Sequence, residues 1–266
     1  MLIDTHAHLN FPDFDKDLDK VIKDALKAEV EKIICVSSNI EDSKKAIEIA
    51  KKYPKVVSAA IGIHPHQTDP RNQNSVKVQV EELEELANNP EVIGIGECGL
   101  DFSPAPPEEK DRPKEEQIFL FESQIKLAKK LKLPLSVHCR KATKETLEVL
   151  NKHFKSSKNS SGVWHCYSAG KSEIQKIIDL GFYFGIDGNI TYDLGLQNVI
   201  KNIPIERIVL ETDCPFLSPI PYRGLRNTPA NVRISAEFIA QMMGYSYNDL
   251  AVITTKNAEK LFSQKR

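Results

Sequence analysis

Leu2-Ile3-Asp4-Thr5-His6-Ala7-His8 opens the chain as a short apolar run that ends on two histidines. After it, Leu18, Val21, Ile22, Ala25 and Leu26 recur at steps of three and four, one apolar stripe along one face of a helix. Lys32 to Ser37 then returns to the apolar, β-branched character of a strand. This strand, helix, strand rhythm continues to the carboxyl end. Eight such runs are legible: Leu2 to Thr5, Lys32 to Ser37, Val56 to Ile63, Val92 to Gly96, Leu135 to Val137, Val163 to Trp164, Phe182 to Ile186 and Ile208 to Leu210. Further stripes lie between them at Ala46, Ile47, Ile49 and Ala50, and at Ile118, Phe119, Ile125, Ala128 and Leu131. A doubly wound open sheet usually stops at about five or six strands, whereas eight strand and helix pairs in about 250 residues match a closed barrel. The expectation is an α/β chain forming one (β/α)8 TIM barrel over residues 1–266.

The composition bounds the function. With 41% hydrophobic and 27% charged residues among 266, the chain can bury a real core, which excludes disorder as the main theme. Lys plus Arg number 36 against 37 Asp plus Glu, a net charge of -1, so no global positive field holds long nucleic acid and any such contact is local. No run approaches the ~18 apolar residues of a membrane span, and the amino terminus lacks the basic then apolar layout of a secretion signal. Five cysteines do not form a disulfide framework, so the expected setting is cytoplasmic, without a membrane or an obligate protein partner.

Two stretches interrupt the rhythm directly after strands, which puts both on the catalytic side of a barrel. Phe102 to Lys114 carries Pro104, Pro106, Pro107 and Pro113 and reads as an irregular loop. Cys214 to Ala236 contains no acid, three arginines (Arg223, Arg226, Arg233) and four prolines, and reads as a rigid basic loop. Lys155 to Ser161 reads as a surface turn and Tyr245 to Phe262 as a closing helix.

Barrel enzymes keep their chemistry at the carboxyl ends of strands, and there the histidines and isolated acids of this chain gather. His6 and His8 close the first run, His64 the third, Glu97 the fourth, His138 the fifth, His165 the sixth and Asp213 the eighth; only His66 and His153 fall elsewhere. Residues two apart on a strand project to one side, so His6 and His8 aim together into the barrel mouth. His6, His8, His138, His165, Glu97 and Asp213 offer six nitrogen or oxygen donors, more than one tetrahedral site takes and enough for two metals sharing a carboxylate. Cys98, Cys139, Cys166 and Cys214 each follow one of the proposed ligands and by the same alternation face the helices as small buried thiols. No Gly-x-Ser-x-Gly turn is present to support serine catalysis.

In these residues the chain resembles the TatD-type family of metal-dependent deoxyribonucleases, over nearly its full length and in order. The likeness rests on Ile-Asp-Thr-His-Ala-His at 3–8, Gly-Ile-His-Pro-His at 62–66, Gly-Glu-Cys-Gly-Leu-Asp at 96–101, His-Cys-Arg at 138–140 and Glu-Thr-Asp-Cys-Pro-Phe-Leu at 211–217. Trp-His-Cys-Tyr-Ser around His165 and Pro-Tyr-Arg-Gly-Leu-Arg-Asn at 221–227 are similar to the family's remaining motifs. The resemblance implies a barrel hydrolase with a divalent metal pair, in which His6, His8 and Asp213 hold one ion, His138 and His165 the other, and Glu97 bridges. The donor set accommodates zinc, manganese or iron, and the resemblance points to magnesium.

The expected reaction is metal-assisted hydrolysis of DNA phosphodiester bonds, with Asp213 orienting or deprotonating water and His64, Arg140 and Arg223 contacting phosphate. Few aromatic platforms stand out beyond Phe102, Tyr167 and Tyr222, which favours short or single-stranded DNA and exonucleolytic action over coating of long DNA. The competing expectation is another hydrolase of this barrel type acting on a lactone, amide or small phosphoester. Related amidohydrolase barrels commonly bridge their metals with a modified lysine from the fourth strand, where this chain has Glu97, which argues against an amide-ring substrate.

Overall fold

The computed structural model describes residues 1–67, 73–104, 113–154 and 161–262. Eight parallel strands form one sheet in sequence order, β1 (Leu2–Ala7), β2 (Val30–Val36), β3 (Val57–Ile61), β4 (Val92–Asp101), β5 (Leu135–Arg140), β6 (Gly162–Trp164), β7 (Phe182–Ile186) and β8 (Ile208–Leu210). The helices between them are α1 (Leu18–Lys27), α2 (Ile40–Lys52), α3 (Gln73–Leu86), α4 (Lys114–Leu131), α5 (Thr143–Phe154), α6 (Ile174–Asp179) and α7 (Leu194–Ile200), with α8 (Val232–Met243) and α9 (Tyr247–Phe262) after β8. Every residue of β1, β7 and β8 is buried, as expected of parallel strands covered on one side by helices and on the other by the barrel interior. No helix among the described residues is long and apolar enough to cross a membrane.

The barrel closes just past β8. The amide of Asp213 donates to the His6 carbonyl (2.9 Å) and that of His8 to the Cys214 carbonyl (2.8 Å), so two donor-bearing segments are joined backbone to backbone. The opposite end is filled by α9, whose Ala258, Leu261 and Phe262 pack on Ile3, Val163, Tyr183 and Val209. One end is thus plugged with apolar side chains, and the other is left for polar chemistry.

Several boundaries differ from the sequence expectation. Strand β4 runs five residues beyond Gly96 and β5 three beyond Val137, so Glu97 and His138 lie inside strands. Strand β4 carries an extra residue against β3 between Val92 and Gly94 and another against β5 between Ile95 and Cys98. Such bulges re-aim side chains, and they disrupt the alternation by which a strand is recognised. Gly99 permits the close approach of β4 to β5, because a β-carbon there would meet the His138 carbonyl oxygen at 1.9 Å. The last five residues of the supposed loop Cys214 to Ala236 are helical: Val232, Ala236, Ile239 and Ala240 form a buried stripe of α8, behind a turn opened by Pro229. Phe119, assigned to the stripe of α4, is 40% exposed, and Leu120, Phe121 and Gln124 are buried in its stead, beside the expected Ile125 and Ala128. The closing helix begins at Tyr247. Within the proline-rich stretch residues 105–112, and within the surface turn residues 155–160, lie outside the described residues.

Candidate metal centre

One extra residue in β1, between Asp4 and Ala7 against β2, turns His6 and His8 into the same lumen as Ile3. Asp4 holds that segment. Its buried carboxylate accepts from the amides of His6 (3.3 Å) and Thr212 (3.0 Å) and from the Thr212 hydroxyl (2.6 Å), tying β1 to the chain just before Asp213. Burial, against those hydrogen bonds, pushes the Asp4 carboxyl up to about 8.

At the open end lies a cavity of about 720 Å³ bordered by His8, His64, Glu97, His138, His165 and Asp213, with His6 buried beneath them. The Nε2 atoms of His6 and His8 are 3.2 Å apart. Each lies 3.6 Å from Glu97 Oε2, and they lie 3.7 and 3.3 Å from Asp213 Oδ1. The other Glu97 oxygen, Oε1, is 2.6 Å from His138 Nδ1, 3.6 Å from His165 Nε2 and 3.7 Å from His64 Nε2. All six donors expected from the sequence therefore converge, and His64 stands beside them. Arg140 is exposed at the border of the same cavity. Arg223 is also exposed, but its guanidinium lies 4.1 Å over the Tyr192 ring and it is not among the residues lining the cavity.

Second partners fix how each imidazole is presented. The other ring nitrogen of His6 faces Ser136 Oγ (3.1 Å), that of His8 faces the Val36 carbonyl (3.0 Å), that of His165 faces Glu211 Oε1 (2.9 Å) and that of His138 faces Asp101 Oδ2 (3.3 Å). A carbonyl only accepts, so His8 Nδ1 donates and Nε2 is the nitrogen turned toward the two carboxylates. This is how metal-binding imidazoles are oriented by a partner on the far nitrogen. Gly185 makes room for Glu211, since a β-carbon there would lie 2.2 Å from its Oε2.

Unlike charges shape the titration of the cluster. Burial works against charge on His138, yet the Asp101 and Glu97 carboxylates outweigh it and lift the ring to about 9. Burial likewise opposes charge on His165, but Glu211, Asp213 and Glu97 raise it to about 10. His64 moves the other way, well below the usual imidazole range, through burial and the neighbouring His138. Groups able to hold a metal ion include His6, His8 and Glu97, and Glu97, His138 and His165, which share Glu97. A tetrahedral cation with ~2.0–2.1 Å bonds needs donors about 3.3 Å apart, and the imidazole and carboxylate separations around His6 and His8, 3.2 to 3.7 Å, fit that need.

Some residues of the site escaped the sequence reading. His66, set aside there, puts Nε2 2.7 Å from Asp101 Oδ2 at the cavity edge. Asp101 and Glu211 both stood inside quoted motifs, and an acid four residues after Glu97 or two before Asp213 was the available signal. Tyr167, expected as a platform, is buried, its hydroxyl on the Gly170 carbonyl and its ring edge-on to Phe184. Phe102 is half-buried beneath the Lys114 ammonium, and Tyr222 is exposed. The aromatics bordering the cavity are Phe11 and Phe216. Of the four cysteines, Cys98 and Cys214 are buried as expected, whereas Cys139, whose thiol meets Thr146 of α5, and Cys166, at a positive φ, are both half-buried and both border the cavity. The basic loop is mostly neutralised: Arg226 pairs with Asp17 and Arg233 with Glu29 and Glu237.

The sequence profile of the family described as TatD related DNase matches residues 3–263. The human protein named deoxyribonuclease TATDN3 is 36% identical, covering 100% of this chain and 96% of its own length. An uncharacterized metal-dependent hydrolase of Bacillus subtilis, YabD, is 35% identical over 98% of this chain and 99% of its own. The crystal structure of a TatD homolog from Escherichia coli K12 superposes with a TM-score of 0.89 at 27% identity, covering 99% of this chain and 98% of that one. With the eight-stranded barrel, these matches make the chain a member of the TatD related DNase family, a hydrolase of that family.

Proposed function

We propose that the chain, acting as one barrel domain, hydrolyses phosphodiester bonds of DNA with a pair of divalent cations, working from the ends of short or single strands. The observation that carries this reading is the division of Glu97: Oε2 faces His6 and His8 while Oε1 faces His138 and His165. In this reading His6, His8 and Asp213 would hold one ion, His138 and His165 the other, and Glu97 would serve both; Mg²⁺, Mn²⁺ or Zn²⁺ suits the mixed nitrogen and oxygen donors. A cation pair there supplies Lewis acidity, neutralising charge on the scissile phosphate and making water acidic enough to lose a proton near neutral pH.

The chain's own groups do the rest. Asp213 is the group in this cluster with a carboxylate at the barrel's closing seam, and it orients the attacking water and takes its proton. Water oxygen bonds to phosphorus as the phosphorus–oxygen bond to the leaving sugar breaks, and the proton taken by Asp213 passes, by way of solvent, to the departing oxygen. His64 Nδ1 accepts from the His66 amide (3.1 Å), which leaves the proton of the neutral ring on Nε2, aimed into the cavity. It is thereby a donor to a phosphate oxygen and not a ligand. Arg140 at the border, and Arg223 farther out, add positive charge for the strand. The family description and the human relative's name both support DNA as substrate.

The test is incubation of purified protein with Mg²⁺ or Mn²⁺ on end-labelled single-stranded DNA, beside Glu97→Ala. Mononucleotide release by the parent and loss of at least about a thousandfold in the variant are expected. Equal rates for both proteins would reject the role given to Glu97.

A further inference from the structure

Phe216 presents a large apolar ring at the rim of the catalytic cavity with 52% of its surface exposed. Its ring is edge-on to Phe11 (centroids 6.1 Å apart) and to His8 (6.3 Å), and Phe11 in turn stacks on His8 at 4.5 Å with the planes 15° apart. An aromatic surface thus leads from the His6–His8 half of the centre out to solvent. The backbone beneath Phe216 is held firmly. Its amide donates to the Asp213 carbonyl (2.9 Å), and its carbonyl accepts from Asn227 Nδ2 (2.7 Å). Asn227 is fully buried, also donates to the Thr212 carbonyl (3.0 Å), and accepts from the Thr228 amide and Asn231 Nδ2 at 2.9 Å each. A ring held exposed at the rim on so ordered a turn is preorganised for a flat apolar ligand.

We infer that Phe216, backed by Phe11, is the stacking platform for the nucleobase adjoining the scissile phosphate. The inference rests on the phosphodiesterase reading above and adds to it a subsite and a specificity-determining residue. Every base offers a π-face, so stacking on one ring is tolerant of sequence, and a cavity in a chain of net charge -1 gains from it an affinity that charge alone does not supply. Because the ring is at the same rim as Asp213, three residues earlier in the turn, it selects substrates carrying a base next to the reacting bond over simple phosphodiesters.

The experiment is a cycle between protein and substrate. Parent, Phe216→Ala and Phe216→Trp are assayed for kcat/KM on end-labelled single-stranded oligonucleotides and on the same oligonucleotides with a stable abasic analogue at the terminal or penultimate position. Phe216→Ala is expected to lose about tenfold on base-bearing ends, a loss that shrinks to within about twofold when the partner base is absent at one of the two positions, with Phe216→Trp restoring the parent value. A loss of the same size on all substrates, or no loss on any, overturns the inference while leaving the nuclease reading standing. A parent that cleaves none of the oligonucleotides overturns both.

Discussion

The Nδ1 of His165 lies 2.9 Å from Oε1 of Glu211, a carboxylate with no exposed surface that also accepts from the Cys166 amide at 2.6 Å. Glu211 is therefore a positioning residue: it holds the His165 ring so that Nε2 faces Glu97 and Asp213. Glu211→Gln keeps the size of the side chain and removes its charge. Metal affinity is expected to fall about 10- to 100-fold with the fold retained, as read by calorimetric titration and circular dichroism. Unaltered affinity would deny Glu211 this role.

Glu97 faces both halves of the donor cluster, so its substitution should alter the number of ions and not only the rate. Glu97→Gln is expected to lower bound metal, measured by elemental analysis after dialysis, from about two ions per chain to one or fewer. A variant that retains the parent's full complement would show that the bridge is not needed.

Acid and base act on the metal-free protein through His138 and His165, held at about 9 and 10 against ~6.5 in an unfolded chain. A folded pKa raised above the unfolded one stabilises fully below about pH 6.5, and that contribution is lost as pH rises through 9 to 10. In EDTA, Tm should accordingly decline across this window. Metal must displace the same protons, so uptake should strengthen as pH rises from about 6 to 8 with proton release into the buffer. Calorimetry in buffers of different ionisation enthalpy measures that release, and its absence would contradict the assignment of these imidazoles as ligands.

Asn227 satisfies two carbonyls and accepts two donors from inside the final loop. Asn227→Ala leaves those groups without their partner in a buried place. A loss of about 2–4 kcal/mol is expected in denaturant unfolding, well beyond that of an exposed substitution. Stability within experimental error of the parent would mean that water replaces the amide freely.

The barrel was legible because its strands are short β-branched runs separated by striped helices, and burial against helices forces that pattern on the residues themselves. The six donors were legible because each follows or sits in such a run. What periodicity could not reveal was the aim of those side chains. Strict alternation places Ile3 and His6 on opposite faces of β1, and it is the extra residue between Asp4 and Ala7 that brings both into the lumen. Irregularities in β4 act around Glu97 in the same region of the chain where the strand was expected to end.

The amino-acid order by itself determined the fold class and the identities of the candidate ligands, since hydrophobic period and residue chemistry are local properties. The tertiary structure alone decided which residues orient them and which rings reach solvent: Glu211 is 46 positions from His165, Val36 is 28 from His8, and Tyr167 is buried where Phe216 is exposed. Such relations depend on how separate strands register and where the closing seam falls, and no window along one strand contains them.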